Sequence, residues 1–173
     1  MSATQPATHA KPASQPPHQD ALQLLMAEHR EVKTMFQQYQ KLADAGGKGD
    51  ERMLLASQIC VALTVHTQME EEILYPAARK VLVKDEDIVD EAYVEHAGAK
   101  SLIAQIKTMT SDQPLFDAKV HVLGEYIDHH VKEEETEFFP KLRKTSLDLD
   151  ALGAELAQRK TELMAETDDV TAS

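Results

Sequence analysis

A short segment occurs twice in the chain, and each copy carries a histidine, a glutamate four residues later, and an aromatic–proline pair at its end. The copies occupy residues 66–76 and 130–140. Residues four apart lie one above the other on the same face of a helix, so each copy presents an imidazole and a carboxylate to one neighbour. Two such copies with matching flanks predict a metal site. The four donors are His66, Glu70, His130 and Glu134.

Apolar residues recur at three- and four-residue steps over four long stretches, which is typical of amphipathic helices. No stretch shows the alternation of a strand, so we predict an all-α fold. Asp20, with Gln23 three residues later, predicts the capping box of the first helix. Asp50 is expected to cap the second helix, and Pro76 to kink or end it. The four stretches are residues 20–44, 50–76, 85–110 and 116–140.

The two ends of the chain differ from this helical part. Residues 1–19 are rich in Pro, Ala, Ser, Thr and Gln, and they predict a disordered N-terminal arm. Residues 20–145 form the predicted bundle, and residues 146–173 form a C-terminal helix and tail. Within this last segment, Leu147 to Met164 is expected to form a short extra helix packed across the bundle.

Composition excludes several classes of partner. A chain of 173 residues that is 42% hydrophobic suits one domain with a sizeable core. A net charge of −12 disfavours nucleic acid and anionic membranes. The sequence has neither an apolar run of about 18 residues nor a signal-peptide core. Cys60 is the only cysteine, which favours a reducing compartment, so we expect a cytoplasmic protein.

The first two helices resemble the next two, because Glu28-His29 corresponds to Glu95-His96 and the two repeated segments correspond to each other. We therefore predict two helical hairpins related by a pseudo-two-fold axis. In each hairpin both histidines lie about 14 to 16 residues from the connecting loop, which is roughly 21–24 Å along a helix axis. The imidazoles of each hairpin are expected to meet at one depth.

All four of these histidines and both repeated glutamates fall on the apolar stripes. An unpaired carboxylate in a core costs several kcal/mol, and two that face each other cost more, so a bound cation explains the pattern best. The alternative is a buried His/Glu hydrogen-bond network in which every member must be satisfied. The predicted metal ligands are His29, His66, Glu70, His96, His130 and Glu134.

Six nitrogen and oxygen donors suit two ions, each held by two imidazoles and a share of two bridging carboxylates. Structural zinc prefers four ligands and often thiolates. Iron and manganese are favoured over zinc, and iron accepts five or six ligands, which leaves positions for a bridging oxygen and a small ligand. The Glu-x-x-His motif of ferritin-like di-iron proteins does not occur in the chain.

These residues and their spacing resemble those of bacterial hemerythrin-like, or HHE cation-binding, domains over roughly Asp20 to Leu142. The resemblance implies an up-and-down antiparallel four-helix bundle with a non-haem di-iron centre. Its two iron ions would be bridged by Glu70, Glu134 and an oxo or hydroxo group. Related proteins bind O2, sense oxygen or iron, or react with peroxide or nitric oxide. The resemblance therefore favours O2 binding or sensing, with an enzyme that decomposes hydrogen peroxide or another small oxidant, and an iron sensing or storage protein, as alternatives.

Two features depart from the oxygen-carrying hemerythrins. The third helix has His96-x-x-x-Lys100 where the carriers have His-x-x-x-His, so one iron would lose a ligand. His129 fits the carriers' spacing to Glu134 and stays an alternative to His130, which continues the apolar stripe.

Other polar residues near the motifs are assigned to packing or to solvent. Tyr93 and Tyr126 either reach an open metal position or pack in the core with a tethered hydroxyl. His121 is expected to be solvated or at the boundary of the core. Five glutamates near the ligands are expected to face water and to attract cations to the site. They are Glu71, Glu72, Glu133, Glu135 and Glu137.

Overall fold

A computed structural model of the chain describes residues 19–171, with only the backbone described for residues 168–171. Within that range it contains helices, turns and loops but no strand, so the prediction of an all-α fold is confirmed. The predicted N-terminal arm lies outside the described residues except for Gln19. None of the described helices is long and apolar enough to span a membrane.

The helices form an up-and-down bundle crossed by one further helix. Two π-helical turns, π1 (Glu70–Leu74) and π2 (Glu134–Phe138), each join two α-helices. The α-helices are α1 (Ala21–Asp44), α2 (Gly49–Met69), α3 (Tyr75–Val81), α4 (Glu86–Lys107), α5 (Phe116–Glu133), α6 (Phe139–Leu142) and α7 (Leu149–Thr171). Helices α1 and α2 form one hairpin, α4 and α5 form the other, and α1 also packs against α5 and α2 against α4. Helix α7 packs across α1 and α2.

Local chemistry sets the starts of the first two helices. The Oδ1 atom of Asp20 accepts a hydrogen bond from the Gln23 backbone N–H at 2.8 Å, and the Gln23 side chain accepts one from the Asp20 N–H at 3.3 Å. The predicted capping box is therefore confirmed. The prediction that Asp50 caps α2 is wrong, because the helix begins at Gly49. Asp50 lies in the first turn, where its charge stabilises the positive end of the helix dipole.

Each π-helical turn is explained by the proline that follows it. Pro76 has no backbone N–H, so the carbonyl four residues earlier lacks its helical partner and the hydrogen-bond ladder widens. The Tyr75 N–H bonds instead to the Glu70 carbonyl, five residues back. The second turn contains the equivalent bond before Pro140. Pro76 therefore changes the register of the helix, which then continues as α3.

The apolar core is divided into two clusters with a polar layer between them. Along α1, Leu25 belongs to one cluster and Val32 to the other, and His29 lies between them. Along α2, Met69 and Leu63 are divided in the same way around His66. The predicted ligands therefore lie in a layer that is closed on both sides by packed apolar side chains.

Helix α7 has 23 residues and continues beyond Met164, so the extra C-terminal helix is confirmed and is longer than expected. Its buried leucines join the core cluster that contains Leu25. Gly153 lies close to the start of α1, because a Cβ atom there would be 2.6 Å from the Gln19 carbonyl oxygen and 2.8 Å from the Ala21 nitrogen. The division of the chain at residue 145 remains a prediction.

We expect Gly153→Ala to destabilise the protein by about 1–3 kcal/mol, because the added methyl group meets rigid backbone. This cost opposes the gain of about 1 kcal/mol that alanine brings to an open helix position. The midpoint of urea unfolding measures the change. Ala154→Leu, at the exposed neighbouring position, is the control and should leave the midpoint nearly unchanged. A more stable Gly153→Ala variant would contradict the close packing of α7 on α1.

Candidate metal centre

Six side chains meet in the polar layer, and each is at most 5% exposed. The Nε2 atoms of His29 and His66 are 3.2 Å apart, and those of His96 and His130 are 3.1 Å apart. The imidazoles of each hairpin therefore meet at one depth, as their spacing from the loop predicts. Together with Glu70 and Glu134, these are the six side chains predicted as ligands.

The two buried glutamates connect the two histidine pairs. The Oε2 atom of Glu70 lies 3.3 Å from His66 Nε2 and 3.4 Å from His96 Nε2. The Oε2 atom of Glu134 makes the matching contacts with the Nε2 atoms of His29, at 3.3 Å, and His130, at 3.6 Å. Each carboxylate therefore contacts one histidine of each hairpin, which is the arrangement that a bridging ligand needs.

Four further carboxylates fix the ring nitrogen that each histidine turns inward. His66 Nδ1 donates a hydrogen bond to Glu28 at 2.7 Å, because an ionised carboxylate can only accept. With the proton on Nδ1, the Nε2 lone pair points into the centre. The other three bonds run from His29 to Glu135 at 2.9 Å, from His96 to Glu71 at 3.0 Å and from His130 to Glu95 at 2.7 Å.

Glu71 and Glu135 were expected to face water, and this expectation is wrong. Each follows a buried glutamate directly and reaches across to a histidine of the other hairpin. Lys100 donates to both oxygens of Glu71 at 2.6 Å. The lysine that stands where oxygen carriers have a histidine therefore supports the carboxylate that orients His96.

The centre holds more hydrogen-bond acceptors than donors. Among the described residues, both oxygens of Glu70 and the Oε2 atom of Glu134 are buried without a hydrogen-bond partner. The inward Nε2 lone pairs of each histidine pair also face each other. A metal ion in each half relieves both conflicts, so the residues fit a metal centre. Two groups of donors at this centre are close enough to hold an ion: His29, His66, Glu70 and Glu134, and Glu70, His96 and His130.

Protons relieve part of this conflict when no metal is bound. Burial favours a lower pKa for His66, but Glu70 and other nearby carboxylates outweigh burial and raise the pKa to about 9. The same competition, with Glu134 as the strongest neighbour, raises the pKa of His130 to about 9. A protonated His66 donates its Nε2–H to His29. One proton in each half therefore offsets part of the negative charge that a cation would balance.

The tyrosine of the first repeated segment reaches the centre, which the sequence analysis did not predict. Tyr75 is fully buried, and its hydroxyl donates to Glu134 Oε1 at 3.1 Å while its oxygen lies 3.1 Å from His96 Nε2. Burial and Glu134 hold the pKa of Tyr75 well above its ordinary value. The equivalent residue in the second segment is Phe139, whose ring stacks on His29 with centroids 5.9 Å apart. The two ends of the centre therefore differ.

The alternative candidates lie outside the centre. The Tyr93 hydroxyl donates to the Glu71 carbonyl at 3.3 Å, and Tyr126 is 38% exposed. The side chain of His129 is 65% exposed on the outer face of α5, so the structure favours His130 over His129 at the inner position. His121 is also exposed, as expected.

The chain is similar to proteins of known family and structure. The family model described as "Hemerythrin HHE cation binding domain" matches residues 20–142. A DNA nickase from Nostoc sp. is 30% identical over 120 residues, which are 69% of this chain and 32% of the relative. The chain therefore spans about a third of the length of that curated relative. The crystal structure of a Hemerythrin HHE cation binding domain-containing protein from Mycobacterium kansasii has a TM-score of 0.69 and 18% identity, and the match covers 85% of this chain and 88% of that chain. This last similarity shows a shared fold.

We expect Glu135→Ala to lower metal affinity about 10- to 100-fold, because His29 loses the acceptor that orients its ring. Competition with a coloured chelator measures the affinity. Glu137→Ala removes an exposed carboxylate from the same π-helical turn and serves as the matched control. Equal losses in both variants would show that general negative charge, rather than the orientation of His29, determines the affinity.

The metal-free protein should lose stability above neutral pH. The folded pKa values of His66 and His130 are raised from 6.5 to about 9, so their stabilisation is complete below pH 6.5 and disappears as the pH rises through 9. We expect the free energy of unfolding to fall by a few kcal/mol across this window. Urea unfolding with a chelator present measures it. Metal-loaded protein should lose less stability, and equal curves with and without metal would contradict this account.

Proposed function

The chain belongs to the hemerythrin HHE cation-binding domain family, and we propose that it is a di-iron protein that binds O2 or a related small ligand. The observation that carries this proposal is the inward orientation of four Nε2 atoms around two buried carboxylates with unpaired oxygens. Such a set of acceptors is costly in a protein interior unless cations bind to it.

We assign His29 and His66 to one iron ion, His96 and His130 to the other, and Glu70 and Glu134 to both. Nitrogen and oxygen donors without thiolate suit iron. Bound iron would supply reversible redox chemistry and open positions for a small ligand.

The charge of the layer supports the number of ions. Its carboxylates are the two buried glutamates and the four that hold the Nδ1 atoms, which makes six negative charges. Lys100 neutralises Glu71, and Lys160 neutralises Glu28 through a contact of 2.8 Å. Four negative charges remain, and two divalent ions balance them. A single divalent ion would leave two negative charges of the layer uncompensated.

A cleft between α1 and α5 supports access for a small ligand. It has a volume of about 380 Å³, and its lining includes the apolar side chains of Phe36, Val120 and Ile127. His29 and Glu135 also line it. A small uncharged molecule such as O2, hydrogen peroxide or nitric oxide suits a cleft of this kind.

Anaerobic reconstitution with ferrous iron tests the proposal. We expect the centre to take up two iron ions per chain, and a visible absorption spectrum that changes when azide is added to the oxidised protein. The Glu70→Gln, Glu134→Gln double variant should lose both of these ions and the azide-sensitive spectrum, because it lacks both shared carboxylates. His121→Ala is the control, since His121 is exposed on α5. A folded wild-type protein that holds no iron would overturn the proposal.

A second candidate is an enzyme that decomposes hydrogen peroxide, and Tyr75 is the residue that favours it. Its hydroxyl holds a proton between Glu134 and the His96 end of the centre. A hydrogen-bond donor in this position can stabilise the charge that develops as a small oxidant breaks down.

Steady-state peroxide turnover distinguishes the two candidates. If the protein is such an enzyme, Tyr75→Phe should lower turnover about 10²- to 10³-fold while iron content is retained. Tyr93→Phe removes a hydroxyl that bonds only to a backbone carbonyl and is the control. Reversible O2 binding without turnover in the wild-type protein would favour the first candidate.

Location and other partners are also proposals. Cys60 is the single cysteine and is buried, so the chain has no disulfide of its own, which suits the reducing cytoplasm proposed here. The net charge of −12 disfavours a nucleic-acid partner. The Nostoc relative is named a DNA nickase, but this chain matches only 32% of the length of that protein. An iron sensing or storage role would require a large change in stability on iron removal.

A further inference from the structure

A surface cleft of about 450 Å³ lies between α4 and α5. It is next to the candidate metal centre formed by the six buried side chains, hereafter the inner centre. In it, His129 Nε2 lies 3.3 Å from Glu133 Oε1 and 3.6 Å from Glu95 Oε1. One donor atom from each of these three residues lies within 4.8 Å of the others. Asp90, Glu91 and Val94 complete the lining, and Asp90 also pairs with Arg79.

Glu95 is oriented before any ion binds. Its Oε2 atom accepts the hydrogen bond from His130 Nδ1 at 2.7 Å, so its Oε1 atom faces the cleft. The side chain is 18% exposed and comes from a different helix than the other two donors. An imidazole and two carboxylates from two helices, one of them already fixed, therefore converge on one position.

The pseudo-symmetry of the bundle shows what this position receives in the other half. Glu28 is the equivalent of Glu95, and it holds His66 as Glu95 holds His130. The remaining oxygen of Glu28 contacts the ammonium group of Lys160 at 2.8 Å. Within residues 19–167, no lysine or arginine forms an ion pair with Glu95. In the first half, the free oxygen of the glutamate therefore meets the ammonium group of Lys160. In the second half, the same oxygen faces His129 and Glu133.

The positions of His129 and Glu133 also differ between the two halves of the bundle. The equivalents of His129 and Glu133 are Val65 and Met69, which are at most 3% exposed. Helix α7 packs over that hairpin. In the second half the same positions are open to solvent, and they carry an imidazole and a carboxylate instead of apolar groups.

We propose that Glu95, His129 and Glu133 bind a divalent first-row transition-metal ion from solution, as a third site outside the inner centre. The mixture of imidazole and carboxylate donors suits Fe²⁺, Zn²⁺ or Mn²⁺. The ion takes the place at the free oxygen of Glu95 that the Lys160 ammonium takes at the free oxygen of Glu28. The proposal does not depend on which metal the inner centre holds.

Titration of the full chain with Mn²⁺ tests the site. The Glu70→Gln, Glu134→Gln background weakens the inner centre, and we expect one Mn²⁺ per chain to remain bound. Adding His129→Ala and Glu133→Gln should remove that ion. Less than one equivalent of Mn²⁺ should broaden the NMR signals of the His129 ring before those of His121. The test also separates this site from the proposed function. If the inner centre of the wild-type protein binds no metal, but one Mn²⁺ still binds and is lost when His129 and Glu133 are replaced, the proposed function is wrong and the third site stands.

The chain provides a matched control on the same helix. His121 and Glu125 have the same four-residue spacing, are exposed and lie 3.5 Å apart, but they belong to none of the three-donor groups among the described residues. His121→Ala with Glu125→Gln should leave Mn²⁺ binding unchanged. Equal losses in the control and the test variant would overturn the proposal, as would retention of the ion after His129 and Glu133 are replaced. Glu133→Gln alone, an exposed and conservative change, repeats the test in a variant with little effect on folding.

Discussion

The electrostatic conflict between buried acceptors is the constraint on which the rest of the structure depends. Glu70 and Glu134 lie between two apolar clusters, and three of their four oxygens have no hydrogen-bond partner among the described residues. The surrounding imidazoles are turned so that their lone pairs add to the conflict. A packed apolar layer in the same place would be more stable without metal. The bundle therefore gives up stability in its middle to keep a set of donors in place.

Much of this arrangement could be predicted from the sequence, because it depends on one-dimensional spacing. Apolar periodicity located the helices, and equal distances from the hairpin loops placed the histidines of each hairpin at one depth. The hydrogen bond that His96 donates to Glu71 could not be predicted, because it depends on how one hairpin is rotated against the other. The extent of α7 also exceeded the prediction, since its last turns follow only a weak apolar pattern.

Tyr75 shows how a local change in helix geometry hid a residue of the site. In a regular α-helix, a residue five positions after Glu70 points about 140° away from it. The π-helical turn widens the ladder and brings Tyr75 back towards the centre, where it bonds to Glu134. The signal was present as Pro76, whose missing N–H causes the turn. A proline shortly after a buried ligand can therefore mark the aromatic residue before it as part of the site.

The repeat has diverged where the halves meet different surroundings. At the inner centre, Tyr75 occupies the position that Phe139 has in the other half, so a hydroxyl is available at one end only. At the surface, α7 brings Lys160 to Glu28. The ammonium group of Lys160 neutralises this carboxylate, which holds His66. Lys100 has the same effect on the carboxylate that holds His96. Each histidine pair thus has one partner carboxylate neutralised by lysine and one that is not. The remaining negative charge is shared equally between the two halves, which is the distribution that the proposed pair of ions requires.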